Sequence, residues 1–368
     1  MNMPLLRPTW AEIDLNAYAE NLKKVRVLVG PDVKILQVLK ANAYGHGAAE
    51  LGLYTQKHGL AQFFGTASVE EALQLRAAGV TLPILVLGSI YPFDAFEYAI
   101  KHDIAITIAS MAAAQAVKEA AAKLGKKALC HVKQDTGMGR IGTRRGGVVN
   151  IIKELAADPN VILDGLFTHL SSVDTDPAFT EEQIGYFRDT MTNVNLNNIH
   201  INYCHMAASP AILFRADSYC DMVRTGHNSF GLQDGFRPVM SVKTRVVYVK
   251  DVPAGGSISY NRSFIADKPL KVATVPLGYG DGYLRALSNK AEMLVNGKRC
   301  RVLGNVTMDM TMLDITDAGS VSVGDEVVAA GKQGGEEIRF KELAQKAGTI
   351  DYELCTLVMP RVPRIYKE

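Results

Sequence analysis

The sequence predicts an α/β fold: an N-terminal (β/α)8 barrel of the TIM type followed by a C-terminal all-β domain. Three observations carry that expectation. From Asn16 to about Gly226, short runs rich in β-branched and aromatic residues alternate with helical patterns, as parallel α/β architectures do. Eight such runs can be counted, the number that closes a barrel. After "DGFRP" (234–238) the pattern changes to short polar–apolar alternations broken by Gly and Pro, as antiparallel strands require. The expected division is a barrel domain over 9–238 and a β-domain over 239–368, with residues 1–8 packing with the latter.

In chain order the barrel runs are "KILQVLK" (34–40), "AQFFGTA" (61–67), "LPILVLG" (82–88), "IAITIAS" (104–110), "ALCHVKQD" (128–135), "ILDGLFTHL" (162–170), "IHINYCH" (199–205) and "YCDMVRTG" (219–226). Between them "SVEEALQLRAAG" (68–79) opens with a Ser cap and an acidic first turn and closes on Gly, and "MAAAQAVKEAAAKLG" (111–125) is a second helical pattern. An open doubly wound sheet would show a similar alternation. The barrel is favoured by where the polar residues fall: Lys40, Lys133 with Asp135, His169, His205 and Arg224 stand at the C-terminal tips of separate runs. In a parallel barrel those tips converge on the face where the βα loops build active sites. The second half offers "SVKTRVVYVKDVPAGGSISY" (241–260), "KVATVPLG" (271–278), "EMLVNGKRCRVLGN" (292–305) and "EVVAAG" (326–331), with an Asn-Gly hairpin signal in "VNGKR" and one short helix, "KELAQKAG" (341–348).

Composition excludes several function classes. With 40 basic and 38 acidic residues and a net charge of +2, the chain has no field for gathering nucleic acid or anionic lipid, and it contains no basic run. Five scattered cysteines without a C-x-x-C pair suggest reduced thiols. The N-terminus lacks a signal-type apolar core, and no run of about 18 apolar residues occurs; a cytoplasmic protein is expected. "HINYCH" (200–205) is not a zinc ligand spacing, and an extended strand would send His200 and His205 to opposite faces, so no metal is expected.

The stretch "LKANAYGHG" (39–47) closely resembles the pyridoxal-phosphate lysine signature of the alanine racemase family. The resemblance runs the whole length, through "WAEIDLNAYAENL" (10–22), "KQDTGMGRIG" (133–142), "FTHLSSVD" (167–174), "DMVRTG" (221–226), "SISY" (257–260), "LGYGDGYLR" (277–285), "GNVTMDM" (304–310) and "RVPR" (361–364). It implies a barrel that holds pyridoxal 5'-phosphate, followed by a β-domain. It also implies head-to-tail homodimers whose active sites combine one barrel with the partner's β-domain, acting on a small amino acid.

Carried over position by position, the resemblance makes Lys40 the lysine bonded to the cofactor. A strand-tip amine that is desolvated and close to other cations loses its proton and becomes a nucleophile toward an aldehyde. For the cofactor's phosphate, Ser209, read as the cap of "PAILFRA" with Pro210 at its first position, and Gly226 with His227 offer backbone donors, and the family adds the phenols of Tyr44 and Tyr352. Arg224 matches the arginine facing the pyridine nitrogen, His169 would lie against the ring and His205 would donate to Arg224. Arg140 matches the arginine at the cofactor's phenolate and the substrate carboxylate, and Lys133 matches a lysine carbamylated in many members, whose charge would orient Arg140. Tyr260 of the partner subunit would be the second base opposite Lys40. Met308 would present its N–H to the substrate carboxylate beside Asp309, with Tyr279 and Tyr352 at the substrate entrance.

Without the resemblance, each position has a plainer reading. Lys40 is then a solvated strand end and Ser209 an ordinary cap. Either histidine is a satisfied polar group of the barrel core, Lys133 an unmodified lysine paired with Asp135, and Tyr260 a packing residue. Thr307, Asn305 and His227 depart from the family pattern, which has cysteine, arginine and an aliphatic residue there. The expected function is interconversion of L- and D-alanine for cell-wall synthesis. The alternatives are a racemase of serine or a basic amino acid, or a non-catalytic pyridoxal-phosphate-binding protein.

Overall fold

Residues Ile104–Ile108 are buried along their whole length, as expected of a strand in a parallel sheet covered on both faces. The computed structural model describes residues 6–144 and 146–368, which cluster into two units. One comprises residues 19–43 and 48–229; the other comprises Tyr18 and the described residues before it, residues 44–47, and residues 230–368.

Leaving β1 (Thr9–Asp14) aside, the strands of the first unit are β2 (Lys34–Val38), β3 (Phe63–Thr66), β4 (Ile84–Val86), β5 (Ile104–Ile108), β6 (Ala128–Lys133), β7 (Val161–Phe167), β8 (Tyr203–His205) and β9 (Met222–Thr225). Each of them falls on one of the eight expected runs, β7 beginning one residue ahead of its run. They pair in parallel in chain order from β2 to β8, and β9 returns to pair with β2. Between β8 and β9 the ring closes through Asp221 N–H to Cys204 O (3.0 Å), Arg224 N–H to Ala207 O (2.9 Å) and a parallel bridge from Ala208 to Arg224. The expected barrel is therefore present. The helices start and stop where the sequence placed them: Ser68 and Ser110 cap Val69–Ala77 and Met111–Leu124 by accepting from the N–H groups of Glu71 and Ala113. Gly125, at φ 59°, supplies the left-handed residue that ends the second.

One irregularity matters for the site. Between β6 and β7 the register slips, so that Cys130 faces Leu163 but His131 faces Gly165. Asp164 is the additional residue, a bulge that re-aims a side chain. A Cβ on Gly165 would lie 2.0 Å from His131 Nδ1, so this position must be glycine while the imidazole occupies its place.

In the second unit β1 pairs antiparallel with β10 (Met240–Arg245) and parallel with β20 (Arg364–Lys367). Residues 9–18 and 230–238, which the sequence reading placed with the barrel, group here with the strand-rich unit, and the backbone bonds of Thr9–Asp14 are made there. The sheet continues through β18 (Glu326–Gln333) to β15 (Glu292–Val295) and β16 (Lys298–Arg301), with β19 (Glu336–Ile338) on β18. A three-stranded sheet joins β11 (Tyr248–Val252), β14 (Leu270–Val275) and β17 (Thr311–Asp314), and β12 (Ser257–Ile258) pairs with β13 (Phe264–Ile265). Val252, Ile258, Leu270, Val272, Leu303 and Met312 form a core between these small sheets. The Asn-Gly hairpin is present: Asn296 and Gly297 have φ of 52° and 71° between the paired Val295 and Lys298, both positive as a type I′ turn demands. The predicted helix spans Phe340–Ala347 and ends on Gly348; a second, Asp351–Thr356, had no clear signal. Residues 1–5 lie outside the described residues, but Pro8 O accepts from Thr244 Oγ1 within this unit. Among the described residues no helix is long and apolar enough to cross a membrane.

Gly165→Ala is expected to lower the unfolding free energy by about 1–3 kcal/mol through overpacking against His131, measured by urea denaturation. A change within 0.5 kcal/mol, the ordinary scatter of about that size for surface substitutions, would mean that the imidazole is not pinned there.

Candidate active site

In the barrel unit, Lys40 leaves β2 just after Leu39, whose N–H bonds Gly65 O at 2.8 Å. The chain then does something the sequence does not announce: Ala41, Asn42, Ala43 and Tyr44 take φ of 51°, 52°, 54° and 54°. This is a left-handed helical turn without glycine, a conformation that costs roughly 1–2 kcal/mol per residue. It is held by Ala43 N–H to Leu39 O (2.8 Å), Ala48 N–H to Asn42 Oδ1 (2.8 Å) and Ala41 N–H to Glu71 Oε1 (2.7 Å). Glu71 Oε2 also accepts from Ala67 N–H at 2.7 Å, so one carboxylate clamps the exits of β2 and β3. Burial, and then Arg140, lower the Lys40 pKa below the ordinary lysine value, with Glu71 opposing.

Lys133 ends β6 and is 2% exposed. Its Nζ donates to Gln134 O at 2.9 Å and lies 5.1 Å from the centre of the Phe167 ring. Burial, then Arg224 and Arg140, bring its pKa down to about 7. The carboxylate of Asp135 is occupied elsewhere, accepting from Gly137 N–H, Gly139 N–H and Arg144 Nε, each at 3.0 Å. The simple Lys133–Asp135 pair is thus not what the structure builds. Arg140 is exposed on the same loop.

Arg224, buried in β9, donates from Nη1 to His205 Nδ1 (2.7 Å) and from Nη2 to Thr168 O (2.7 Å) and Met206 O (2.8 Å), with His169 Nδ1 at 3.4 Å. This reverses the expected direction: a guanidinium has no acceptor, so His205 receives the hydrogen bond from Arg224. Burial, and then Arg224, hold both His205 and His169 well below the usual imidazole pKa, and both rings are neutral. Phe167, which sequence reasoning did not single out, stacks on His205 with centroids 4.8 Å apart and also underlies Arg224. Ser209 requires a correction too. It is the first helical residue, Ala208 is the cap and no side-chain capping bond forms. The Ser209 hydroxyl instead accepts from Gly226 N–H at 3.2 Å, joining the helix start to the turn after β9 where the half-buried His227 sits.

The remaining candidates lie in the strand-rich unit. Tyr44 and Tyr352 have ring centres 6.0 Å apart, and Tyr44 packs on Phe230 at 5.0 Å; burial raises the Tyr44 phenol to about 12, keeping it a donor. Tyr260 is 70% exposed, in a turn where Ser259, Asn261 and Arg262 all have positive φ. Asn305 Nδ2 donates to Tyr260 O at 3.0 Å, and Asn305 O accepts from Ser259 Oγ at 2.6 Å. Thr307 Oγ1 accepts from Met310 N–H and donates to Met310 O, closing the turn that carries Met308 and Asp309. Two departures from the family pattern are therefore structural devices of these loops. Asp281, buried and missed by sequence reading, receives both Nη groups of Arg7 (2.6 and 2.7 Å), Arg361 Nε (2.8 Å) and Gly278 N–H (2.9 Å). Arg361 also holds Asp309 at 2.8 Å, and Gly280 N–H bonds Met308 O at 2.8 Å. This frame leaves Tyr279, Met308 and Tyr260 exposed.

Residues 13–234 match the model of the alanine racemase N-terminal domain, and residues 239–366 that of the alanine racemase C-terminal domain. The chain belongs to the alanine racemase family. It is 39% identical over 376 residues to an alanine racemase of Halothermothrix orenii, covering 100% of this chain and 99% of that one. Among solved structures it is similar to alanine racemase from Clostridium difficile (TM-score 0.92, 35% identity, 98% of this chain and 96% of that one). It is likewise similar to the enzyme from Bacillus anthracis with bound L-Ala-P (TM-score 0.90, 33% identity, 100% and 96%). The family's pyridoxal phosphate fits the donor set of the barrel. Arg140 acts on Lys40, Lys133 and Arg224 there, and Arg224 on Lys133, while Asp135 is engaged by its own loop, and this surplus of positive charge suits a ligand that carries a phosphate and a phenolate.

The folded Lys133 amine holds its proton only below about 7, whereas an unfolded lysine keeps it to about 10.4. Between those values the unfolded chain binds the additional proton, so stability rises with pH. In cofactor-free, bicarbonate-free protein, Lys133→Met is expected to reduce the slope of stability between pH 7 and 9 by up to about 1.4 kcal/mol per unit, read by urea denaturation at each pH. Equal slopes would mean that the folded amine keeps its proton.

Proposed function

We propose that the chain is a pyridoxal-phosphate-dependent isomerase that interconverts L- and D-alanine, in the cytoplasm, as a homodimer with shared sites, supplying D-alanine for cell-wall synthesis. The observation that carries this reading is the desolvated Lys40 amine, lowered in pKa among cations at the barrel tips. When bound, pyridoxal phosphate draws electron density from the substrate's α-carbon and makes its hydrogen acidic. The chain's own residues do the rest.

Lys40 would hold the cofactor and, when its amine is free, would remove or return the proton on one face of the α-carbon. Racemisation needs a second group on the other face, and Tyr260 of the partner subunit is assigned that task; its 70% exposure leaves the phenol available. Arg224 keeps its protons through three backbone carbonyls and His205, so it offers the pyridine nitrogen a hydrogen bond without surrendering a proton. His169 would lie against the cofactor's ring. Arg140 takes the phenolate side and the substrate carboxylate, which also meets the Met308 N–H beside Asp309. Ser209, Gly226 and His227 would receive the phosphate, and the resemblance alone assigns the phenols of Tyr44 and Tyr352 to it. Tyr279 and Tyr352 restrict the entrance to small side chains. Carbamylation requires a neutral amine, and Lys133, with its pKa near 7, supplies one to hold Arg140.

Lys40→Ala is expected to abolish turnover and the absorbance of the lysine-bound cofactor. A panel of L-amino acids assayed for the D-form should give alanine as the best substrate; serine or a basic amino acid in first place would move the assignment. Tyr260→Phe is expected to slow racemisation by roughly 10²–10⁴-fold while one enantiomer of alanine still exchanges its α-hydrogen with solvent. Loss of exchange at both enantiomers, or undiminished racemisation, would remove Tyr260 as the second base. Mixing Lys40→Ala with Tyr260→Phe chains should restore part of the activity if partners share sites.

A further inference from the structure

Behind Arg224 runs a line of hydrogen bonds that none of the roles above employs. His205 Nε2 lies 3.1 Å from His131 Nδ1, and His131 Nε2 lies 3.1 Å from Asp164 Oδ2. Asn202 Nδ2 donates to Asp164 Oδ1 at 2.9 Å, and His200 Nε2 reaches Asn202 Oδ1 at 3.1 Å. His205 and His131 are buried, at 0% and 1% exposure. A guanidinium only donates, so His205 Nδ1 must be an acceptor. The neutral ring then carries its hydrogen on Nε2, which makes His131 Nδ1 an acceptor in turn. That places the His131 hydrogen on Nε2, facing a carboxylate. The direction of every bond in the line is thus set by its two ends, Arg224 and Asp164.

Local sequence makes the line possible. The bulge at Asp164 turns its carboxylate to His131, and Gly165 leaves room for the imidazole. Burial alone would raise the Asp164 pKa, yet His131 and Asn202 outweigh it and hold the carboxylate ionised.

We propose that Asp164 and His131 are positioning residues which lock His205 in the tautomer that accepts from Arg224, and so hold the guanidinium in place for the cofactor's ring nitrogen. The last clause rests on the function proposed above; the tautomer lock does not. Without an anion at Asp164, nothing favours hydrogen on His131 Nε2. An Nδ1–H tautomer there would confront the hydrogen of His205 Nε2, and a flip of His205 would confront Arg224.

The test labels the histidine rings of the full chain with nitrogen-15 and reads their tautomers by NMR, with and without pyridoxal phosphate, beside steady-state kinetics on alanine. The wild type is expected to show His205 and His131 both as Nε2–H tautomers. Asp164→Leu should shift His205 to mixed tautomers and lower kcat by about 10–100-fold, the scale typical of outer partners that orient a ligand, with KM changed less than about threefold. Asp164→Asn, which keeps an acceptor, should retain the tautomers and stay within about threefold of wild-type kcat. If Asp164→Leu does not fold, His131→Phe asks the same question, with mixed tautomers at His205 again expected. An unmoved His205 tautomer in these variants, or Nδ1–H in the wild type, overturns the proposal. A wild type that shows the tautomer pattern but racemises no amino acid would instead fail the functional reading.

Discussion

Positive charge taken out of water without matching negative charge is the constraint on which the barrel unit depends. Lys40, Lys133 and Arg224 converge from strands β2, β6 and β9, and Arg140 acts on all three. An unpaired buried ion costs several kcal/mol even after relaxation. The chain meets that cost by three different routes. Arg224 is solvated by the carbonyls of Thr168, His205 and Met206. Lys133 lies on the face of an aromatic ring and sheds its proton near neutrality. The histidines stay neutral and so act as dipoles where they would otherwise add charge. A site arranged in this way is prepared for an anion before one arrives, which is the electrostatic condition for binding a phosphorylated aldehyde and for keeping an amine nucleophilic.

The strand-rich unit solves the opposite problem. There a single buried carboxylate, Asp281, is surrounded by Arg7, Arg361 and a backbone N–H, so the charge is matched and the bonds become a frame. Through Arg361 to Asp309 and Gly280 to Met308 O, the frame fixes loops whose outward side chains include Tyr279 and Met308. Asn305 extends it to Tyr260. Exposed aromatic and Met side chains on rigid loops are suited to recognition. This unit accordingly reads as one that presents groups, where the barrel unit encloses them.

How much of this was legible in the sequence follows from which signals are local. The eight barrel strands were visible because a buried parallel strand is a short apolar run, and the cations were visible because each stands at the end of one. The placement of β1 was not, because its pairing partners lie some 230 and 350 residues further along the chain and its own pattern fits either unit. The direction of the His205–Arg224 bond was accessible from donor chemistry alone and was misread. Ser209 looked like a cap because Ser before Pro usually is one; only the turn after β9 shows its hydroxyl turned to Gly226. Phe167 opens the motif "FTHLSSVD" (167–174) but has no role of its own there, and His131 and Asp164 carried no motif. Two of these three depend on a bulge, and a bulge is an interruption of the very periodicity by which strands are read.

The left-handed turn after Lys40 shows why such sites escape local rules. Four successive residues, none of them glycine, sit where their side chains are disfavoured, and the sequence "ANAY" gives no reason to expect it. The conformation persists because bonds to its surroundings over-determine it: Glu71 takes the first N–H, Asn42 Oδ1 accepts from Ala48 N–H, and Leu39 O receives Ala43. Strain of this kind persists only where the surroundings enforce it, and it clusters where geometry is functional. A relaxed right-handed turn would carry the chain that follows Lys40 along a different path from the same strand tip. The turn's cost of roughly 1–2 kcal/mol per residue is therefore met by the contacts around it, and Glu71, whose carboxylate takes the N–H next to Lys40 and opposes the lowering of the Lys40 pKa, serves the turn and the amine together.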